Sequence, residues 1–114
     1  MAFSREIKDF SGKTVEVLYP LHEIDSYNGE EMKTFIIEHD SYDAVIVNFS
    51  RVNYLNSSGL RELIQILKFL KERGKLLFLT NLSEEINKIF DSTNLHRLFS
   101  IHPTDETAGT ILEG

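Results

Sequence analysis

The sequence predicts a single α/β domain over residues 1–114, with a mixed β-sheet and helices packed against it. Two short apolar runs, at 44–49 and 76–80, are typical of strands that are covered on both faces. An amphipathic stretch lies between these runs, so the order is strand, helix, strand, as in a right-handed crossover. No linker, repeat or low-complexity tract divides the chain.

The first elements are expected to be an N-terminal β-hairpin followed by a short helix. Residues 7–10 and 14–19 are predicted to form two strands around the turn at 11–13. Asn28 is followed three residues later by Glu31, which is the spacing of a capping box. This spacing predicts that the helix begins after Asn28.

The longest helix is predicted to run from about Gly59 to Arg73, with Gly74 ending it in a left-handed conformation. Its core-facing stripe is expected to consist of Leu60, Leu63, Ile64, Leu67 and Leu70. Ile66 and Phe69 lie outside that stripe. Either a neighbouring helix covers these two side chains, or they form a partner-binding patch.

The last third of the chain predicts two more helices and a short strand. Ser83 is placed to cap a helix whose first turn is acidic, as the helix dipole favours. Residues 99–102 are expected to form the last strand, and residues 104–106 to open the terminal helix. The buried residues of that helix are expected to be Ala108, Ile111 and Leu112.

Composition narrows the possible functions. The net charge of −6 and the pI near 5.1 oppose a nucleic-acid surface, which needs a basic stripe. The chain has no cysteine, so disulfide and thiolate-metal chemistry are excluded. No apolar run suggests secretion or approaches the length of a membrane span. We therefore expect a cytoplasmic protein without direct membrane contact.

The usual constellations of catalytic, metal-binding and nucleotide-binding residues are absent from the sequence. It contains no Gly-x-Ser-x-Gly elbow and no glycine-rich phosphate loop. The histidines are scattered without metal-ligand spacing, at His22, His39, His96 and His102. We expect no enzyme activity, metal or cofactor, although a small hydrolase using Ser57 or Ser58 stays open because a base can come from elsewhere in the fold.

The most informative segment is 54–60, Tyr-Leu-Asn-Ser-Ser-Gly-Leu, which joins a buried strand to the long helix. Tyr54 is expected to lie in the core. Asn56 or Ser57 could serve simply as the helix cap, because both residue types accept hydrogen bonds from free N–H groups. The same position also suits a phosphate on Ser57, because a helix start is electropositive.

This segment, following the strand at 44–49 and preceding Gly74, resembles that of the STAS family of anti-sigma-factor antagonists. Residues 22–25, His-Glu-Ile-Asp, stand where that family often has Gly-x-Leu/Ile-Asp. Residues 90–95 resemble its late Phe-x-x-Ser/Thr-Gly/Asn-Leu element. The chain departs from the pattern at Asn56, where the antagonists usually carry Asp, and at His22, where they have Gly.

The resemblance implies a non-enzymatic regulator that binds a serine-kinase anti-sigma factor and is switched by phosphorylation of Ser57. The kinase would supply ATP, so the chain itself would need no cofactor. The implied partner-binding residues, together with the two helix residues left open above, are Asp25, Asn56, Ser57, Ser58, Gly59, Arg61, Ile66 and Phe69. An unphosphorylated STAS scaffold or transporter accessory subunit is the alternative, and the expected assembly is a monomer or weak dimer.

Overall fold

A computed structural model describes residues 3–113. The strands are β1 (Phe3–Phe10), β2 (Lys13–Pro20), β3 (His22–Ile24), β4 (Ala44–Asn48), β5 (Val52–Leu55), β6 (Leu76–Thr80) and β7 (Ser100–His102). The helices are α1 (Ser26–Glu38), α2 (Ser57–Glu72), α3 (Glu84–Ser92) and α4 (Asp105–Glu113), with a single 3-10 turn at Leu95–Arg97.

Five strands form the main sheet in the order β1-β2-β4-β6-β7. The β1–β2 pair is antiparallel and the other pairs are parallel, so the predicted mixed sheet is confirmed. Side chains of α1, α2 and α3 share one core with one face of this sheet. The opposite face packs against α4 through a smaller core that contains Ala108. Within residues 3–113, helices therefore cover both faces of the sheet, three on one side and one on the other.

The predicted N-terminal hairpin is confirmed, with longer strands than expected. Ser11 and Gly12 form its two-residue turn, and both have positive φ, at 54° and 87°. Positive φ at both central residues is the mark of a type I′ turn, whose twist matches that of the flanking strands. Glycine tolerates this conformation at no steric cost, which explains its position in the turn.

A second, two-stranded parallel sheet of β3 and β5 was not predicted. Its first residue, His22, has φ of 65°, a left-handed conformation that side chains other than glycine adopt at a cost. The Glu23 N–H donates to the Leu21 carbonyl over 2.8 Å, closing a tight turn around His22. The family pattern places glycine at this position, so the left-handed backbone gives a physical reason for that preference.

The predicted start of α1 was three residues too late. Asp25 is the N-cap, and its carboxylate accepts hydrogen bonds from the N–H groups of Tyr27 and Asn28, each over 3.0 Å. Asn28 is instead the third helical residue, and its side chain accepts the Asp25 N–H over 2.8 Å. The capping box is therefore formed by Asp25 and Asn28. An Asn at the third position can play the part that Glu or Gln usually plays.

The buried stripe of α2 is rotated from the one predicted and consists of Gly59, Leu63, Ile66 and Leu70. Ile66 is 0% exposed, so its assignment to a partner-binding patch is wrong, and it is part of the main core instead. Phe69 is half-buried, and the Arg73 guanidinium lies 4.3 Å from its ring centre. The predicted left-handed end of the helix is confirmed, because Gly74 has φ of 69°.

The last third of the chain follows the prediction with one exception. Ser83 caps α3, accepting the Ile86 N–H over 3.2 Å, and β7 forms the last strand. In α4, Ala108 is buried but Ile111 is 53% exposed, so its expected burial is wrong. A short helix lying on one face of a sheet buries a narrow stripe, and Ile111 lies outside it.

Candidate functional site

The candidate site lies where the small sheet ends and two helices begin. Because β3 and β5 are parallel, their carboxyl ends meet at the same edge of the sheet. Asp25 follows the first strand and Asn56 follows the second, and each residue is the N-cap of a helix. The Asn56 N–H also donates to the Ile24 carbonyl over 3.2 Å, which ties the two helix starts together.

Asn56, rather than Ser57, is the cap of α2. Its side-chain Oδ1 accepts the Gly59 N–H over 2.7 Å, and its carbonyl accepts the first helical hydrogen bond, from the Leu60 N–H. Ser57 is therefore the first residue inside the helix, and Ser58 is the second. The amide of Asn56 supplies the capping oxygen that the family's aspartate would supply, without its charge.

The Ser57 side chain is exposed at the electropositive end of α2, whereas Ser58 is half-buried. Within residues 3–113, neither hydroxyl forms a hydrogen bond to another protein group. The N–H groups of the first helical turn have no partner inside a helix, so they favour an anion next to them. The Ser57 hydroxyl is thus accessible to a modifying enzyme, and the helix start favours a negative charge there.

Gly59 allows α2 to start against the backbone of the small sheet. A Cβ atom built on Gly59 would lie 2.1 Å from the Ile24 carbonyl oxygen and 2.9 Å from the Asp25 nitrogen. Side-chain atoms do not approach a backbone oxygen so closely. Because Gly59 has no Cβ, the first turn of α2, which carries Ser57, packs directly against the backbone of Ile24 and Asp25.

A second close approach holds α1 and α2 together one turn further along. A Cβ on Gly29 would lie 2.7 Å from the Glu62 Cβ, so the two helices almost touch there. Lys33 Nζ lies 2.8 Å from Glu62 Oε1 and donates to Gln65 Oε1 over 2.6 Å. These contacts make the helix start a rigid platform, because both helices are fixed to each other and to the sheet.

Exposed side chains that could contact a partner lie around this platform. Arg61 is exposed and follows Ser57 by four residues, so both residues lie on the same side of the helix. Tyr54 is 55% exposed, so its expected core position is wrong; it stands on β5, two residues before the cap. Asp25 is half-buried, and its carboxylate caps α1. It therefore lies at the edge of this surface.

The remaining predicted site residues are not part of this surface. Ile66 is buried, and Phe69 lies twelve residues after Ser57, which is about 18 Å along a helix. The hydrophobic pattern alone placed both residues near the site. The contact that matters instead is the Ile24 carbonyl against Gly59, which no single motif in the sequence indicates.

Among residues 3–113, no group of three or more His, Cys, Asp and Glu side chains is arranged to hold a metal ion. None of the helices in this same part of the chain is both long and apolar enough to cross a membrane.

The chain was compared with known families and proteins. The family model for the STAS domain matches residues 12–108. The anti-sigma-B factor antagonist of Staphylococcus epidermidis is 31% identical over 87 residues, covering 74% of this chain and 80% of that protein. The residues that the family model matches include both helix starts of the candidate site.

Solved structures share the fold at low sequence identity. A protein of Thermotoga maritima assigned as an anti-sigma factor antagonist has a TM-score of 0.85 at 23% identity, covering 98% of this chain and 95% of its own. The Bacillus cell fate determinant SpoIIAA in its phosphorylated form has a TM-score of 0.69 at 22% identity, covering 97% and 99%. A sulfate transporter family protein of Wolinella succinogenes has a TM-score of 0.76 at 14% identity, covering 86% of each chain.

Proposed function

Because this chain belongs to the STAS domain family, we propose that it acts as an anti-sigma-factor antagonist that regulates transcription by binding another protein in the cytoplasm. Its partner is a serine-kinase anti-sigma factor, and phosphorylation of Ser57 switches the interaction off. The chain itself catalyses no reaction and carries no cofactor. The domain presents a surface that a partner recognises and modifies.

The observation that carries this proposal is the exposed Ser57 hydroxyl at the start of a rigidly anchored helix. In the transfer step, the Ser57 oxygen forms a bond to the γ-phosphorus of ATP while the bond to the β-phosphate oxygen breaks. ADP leaves, and a base of the kinase accepts the hydroxyl proton. No movement of the Ser57 backbone is needed, because the side chain already faces solvent.

The phosphate acts as a switch through its charge. It adds about −1.5 to −2 charges at pH 7. The free α2 surface accommodates that charge, since the helix dipole favours an anion and the exposed Arg61 lies on the same side of the helix. A partner that covers Ser57 would instead have to bury the charge, and a buried charge without a counter-ion weakens an interface strongly. The same modification therefore leaves the fold intact and releases the partner.

The relatives support this proposal in two ways. The relative from Staphylococcus epidermidis is an anti-sigma-B factor antagonist and aligns over three quarters of the chain. A protein with the same fold, SpoIIAA, exists in a phosphorylated form. The exposure of Ser57 and its position at the start of α2 make it the proposed site of phosphorylation.

Binding measurements with two variants of Ser57 test the switch. We expect Ser57→Ala to bind the kinase anti-sigma factor like the wild type in titration calorimetry, and Ser57→Asp to bind much more weakly. Both variants should fold well, because the side chain of Asn56 supplies the cap and surface substitutions usually change stability by less than about 0.5 kcal/mol. Equal affinities of the two folded variants for the partner would show that a negative charge at Ser57 does not control binding.

The second candidate function is an unphosphorylated STAS scaffold or an accessory subunit of a transporter. The fold likeness to a sulfate transporter family protein favours it, as does Asn56 in place of the usual aspartate. This alternative predicts that no phosphate is incorporated by a kinase that is active on its own substrate. Phosphate incorporation into Ser57 would exclude it.

A further inference from the structure

Strand β1 forms one edge of the main sheet, and no other strand of residues 3–113 pairs with its outer side. The strand is eight residues long, and Ile7 at its centre is 60% exposed. Arg5, Glu6 and Asp9 are exposed as well. A long, exposed edge strand is a template for pairing with another strand. The order of charges along β1 indicates which strand it fits.

The backbone groups on the outer side of β1 belong to alternate residues. Thr14, on the neighbouring strand, donates its N–H to Asp43 Oδ2 and accepts the Asp43 N–H at its carbonyl, each over 2.8 Å. Thr14 therefore does not exchange hydrogen bonds with Asp9, which lies opposite it. Because such pairs alternate in an antiparallel ladder, Arg5, Ile7 and Asp9 direct their N–H and C=O groups outward.

We propose that two copies of this chain associate through β1, antiparallel and related by a two-fold axis at Ile7. In this register, Ile7 faces Ile7 of the second copy. Arg5 faces Asp9 on one face of the paired strands, and Glu6 faces Lys8 on the other. The outward backbone groups of Arg5, Ile7 and Asp9 then meet in hydrogen-bonded pairs, so the two sheets continue into one.

Other registers fail on charge or on hydrogen bonding. Sliding the strands by two residues one way places Glu6 opposite Glu6, and sliding them the other way places Lys8 opposite Lys8. Like charges directly opposite each other are destabilising. A slide by one residue sets outward backbone groups against groups that already bond to β2. If these charges served only to keep other strands away from the edge, they would not need to pair favourably with a second copy of β1 in any register.

The internal contacts of the charged residues leave donors and acceptors for this pairing. Arg5 donates to the Glu16 carboxylate from Nε, over 3.2 Å, and from Nη2, so its Nη1 group keeps two N–H donors for Asp9 of the second copy. Lys8 Nζ donates to Asp105 Oδ2 over 3.1 Å and to Glu106 Oε2 over 3.4 Å, and an ammonium group has three donors. Glu6 accepts the Tyr19 hydroxyl at Oε1 over 2.7 Å, which leaves its second oxygen. We expect a contact through one strand alone to bury less than the roughly 1,200 Å² of a stable interface, and therefore expect a weak, concentration-dependent dimer.

The mass in solution tests this proposal. Across a concentration series in light scattering, the wild type should rise from 13.2 kDa towards twice that mass. Ile7→Pro removes an N–H that the β1–β2 ladder does not use, so the monomer should fold while the rise is lost. Glu6→Lys sets lysine against Lys8 and should also abolish the rise. The matched control is Leu98→Lys, an apolar residue that is 47% exposed and lies away from this edge, which should retain the rise.

Amide hydrogen exchange gives a second, independent readout. As concentration rises, exchange should slow at the outward amides of Arg5, Ile7 and Asp9 and stay constant at those of Glu6 and Lys8. A constant 13.2 kDa mass at every concentration would overturn the proposal. A dimer that survives both Ile7→Pro and Glu6→Lys would do the same, and Glu6→Lys alone decides the matter if the proline variant does not fold.

Discussion

Replacing Gly59 with alanine tests how tightly the start of α2 is held. The new Cβ would lie 2.1 Å from the Ile24 carbonyl oxygen, well inside the 3.0 Å that real Cβ atoms keep, so the backbone must shift by nearly 1 Å. Overpacking costs about 1–3 kcal/mol, and a rigid backbone neighbour places this case at the upper end. Alanine recovers about 1 kcal/mol through helix propensity. The expected net loss is about 2 kcal/mol.

Urea denaturation measures this loss directly, with Ser57→Ala as the matched control in the same helical turn. The control side chain is exposed and makes no internal hydrogen bond within residues 3–113, so its stability should change by less than about 0.5 kcal/mol. Gly59→Ala should also slow phosphorylation, because the shift displaces Ser57. A Gly59→Ala protein about 1 kcal/mol more stable than the wild type, as for an ordinary helical position, would refute the close approach.

Three further outcomes follow from the same geometry. Asn56→Asp keeps the capping oxygen and adds a charge at the helix start, so it should stabilise the domain by about 0.3–1 kcal/mol in denaturation. It should also speed phosphate incorporation in matched time courses, because a carboxylate beside Ser57 can orient the acceptor hydroxyl. Slower incorporation would show that repulsion of the incoming phosphate outweighs this orientation. His22→Gly relieves a left-handed residue and should raise the free energy of unfolding by about 0.5–1 kcal/mol; a decrease would show that the turn is unstrained. Burial, with a smaller effect of the nearby Asp40 charge, raises the pKa of Tyr42 to about 12 from 10.0, and burial likewise raises that of Tyr19 to about 12. Their stabilisation is complete below pH 10 and lost between pH 10 and 12, so Tyr42→Phe should flatten the alkaline decline in stability, and an unchanged decline would contradict this.

Local signals predicted most of the main sheet. The strand Leu76–Thr80 has the predicted bounds, because a continuous apolar run between a helix-ending glycine and a capping serine leaves little choice. Gly74 and Ser83 were found from the chemistry of helix ends. Each of these features is decided by a few neighbouring residues.

The phase of α2 could not be read from the pattern. Apolar side chains extend past half of the circumference of this helix, so several stripes fit equally well. The true stripe is centred between Ile66 and Leu63, and it includes Gly59, which a hydrophobicity pattern does not detect. Close approach of backbones, rather than apolar area, sets the orientation of this helix.

The candidate site was predicted only in part for a similar reason. Ser57 and its exposure followed from the position of a helix start and from the resemblance to a family. That Asp25 lies beside Asn56 depends on the pairing of β3 with β5, two short strands far apart in sequence. Such pairing leaves no local signal, and the exposed Tyr54 was misplaced because the strand that carries it was not predicted.

The most direct test of the central claim is the site of phosphate incorporation. The wild type, Ser57→Ala and Ser58→Ala proteins should be incubated with the serine-kinase anti-sigma factor and ATP and analysed by intact-mass and tandem mass spectrometry. We predict one added phosphoryl group on Ser57 in the wild type and in Ser58→Ala, and none in Ser57→Ala. Phosphate on Ser58, or no phosphate from a kinase that is active on another antagonist, would contradict the account.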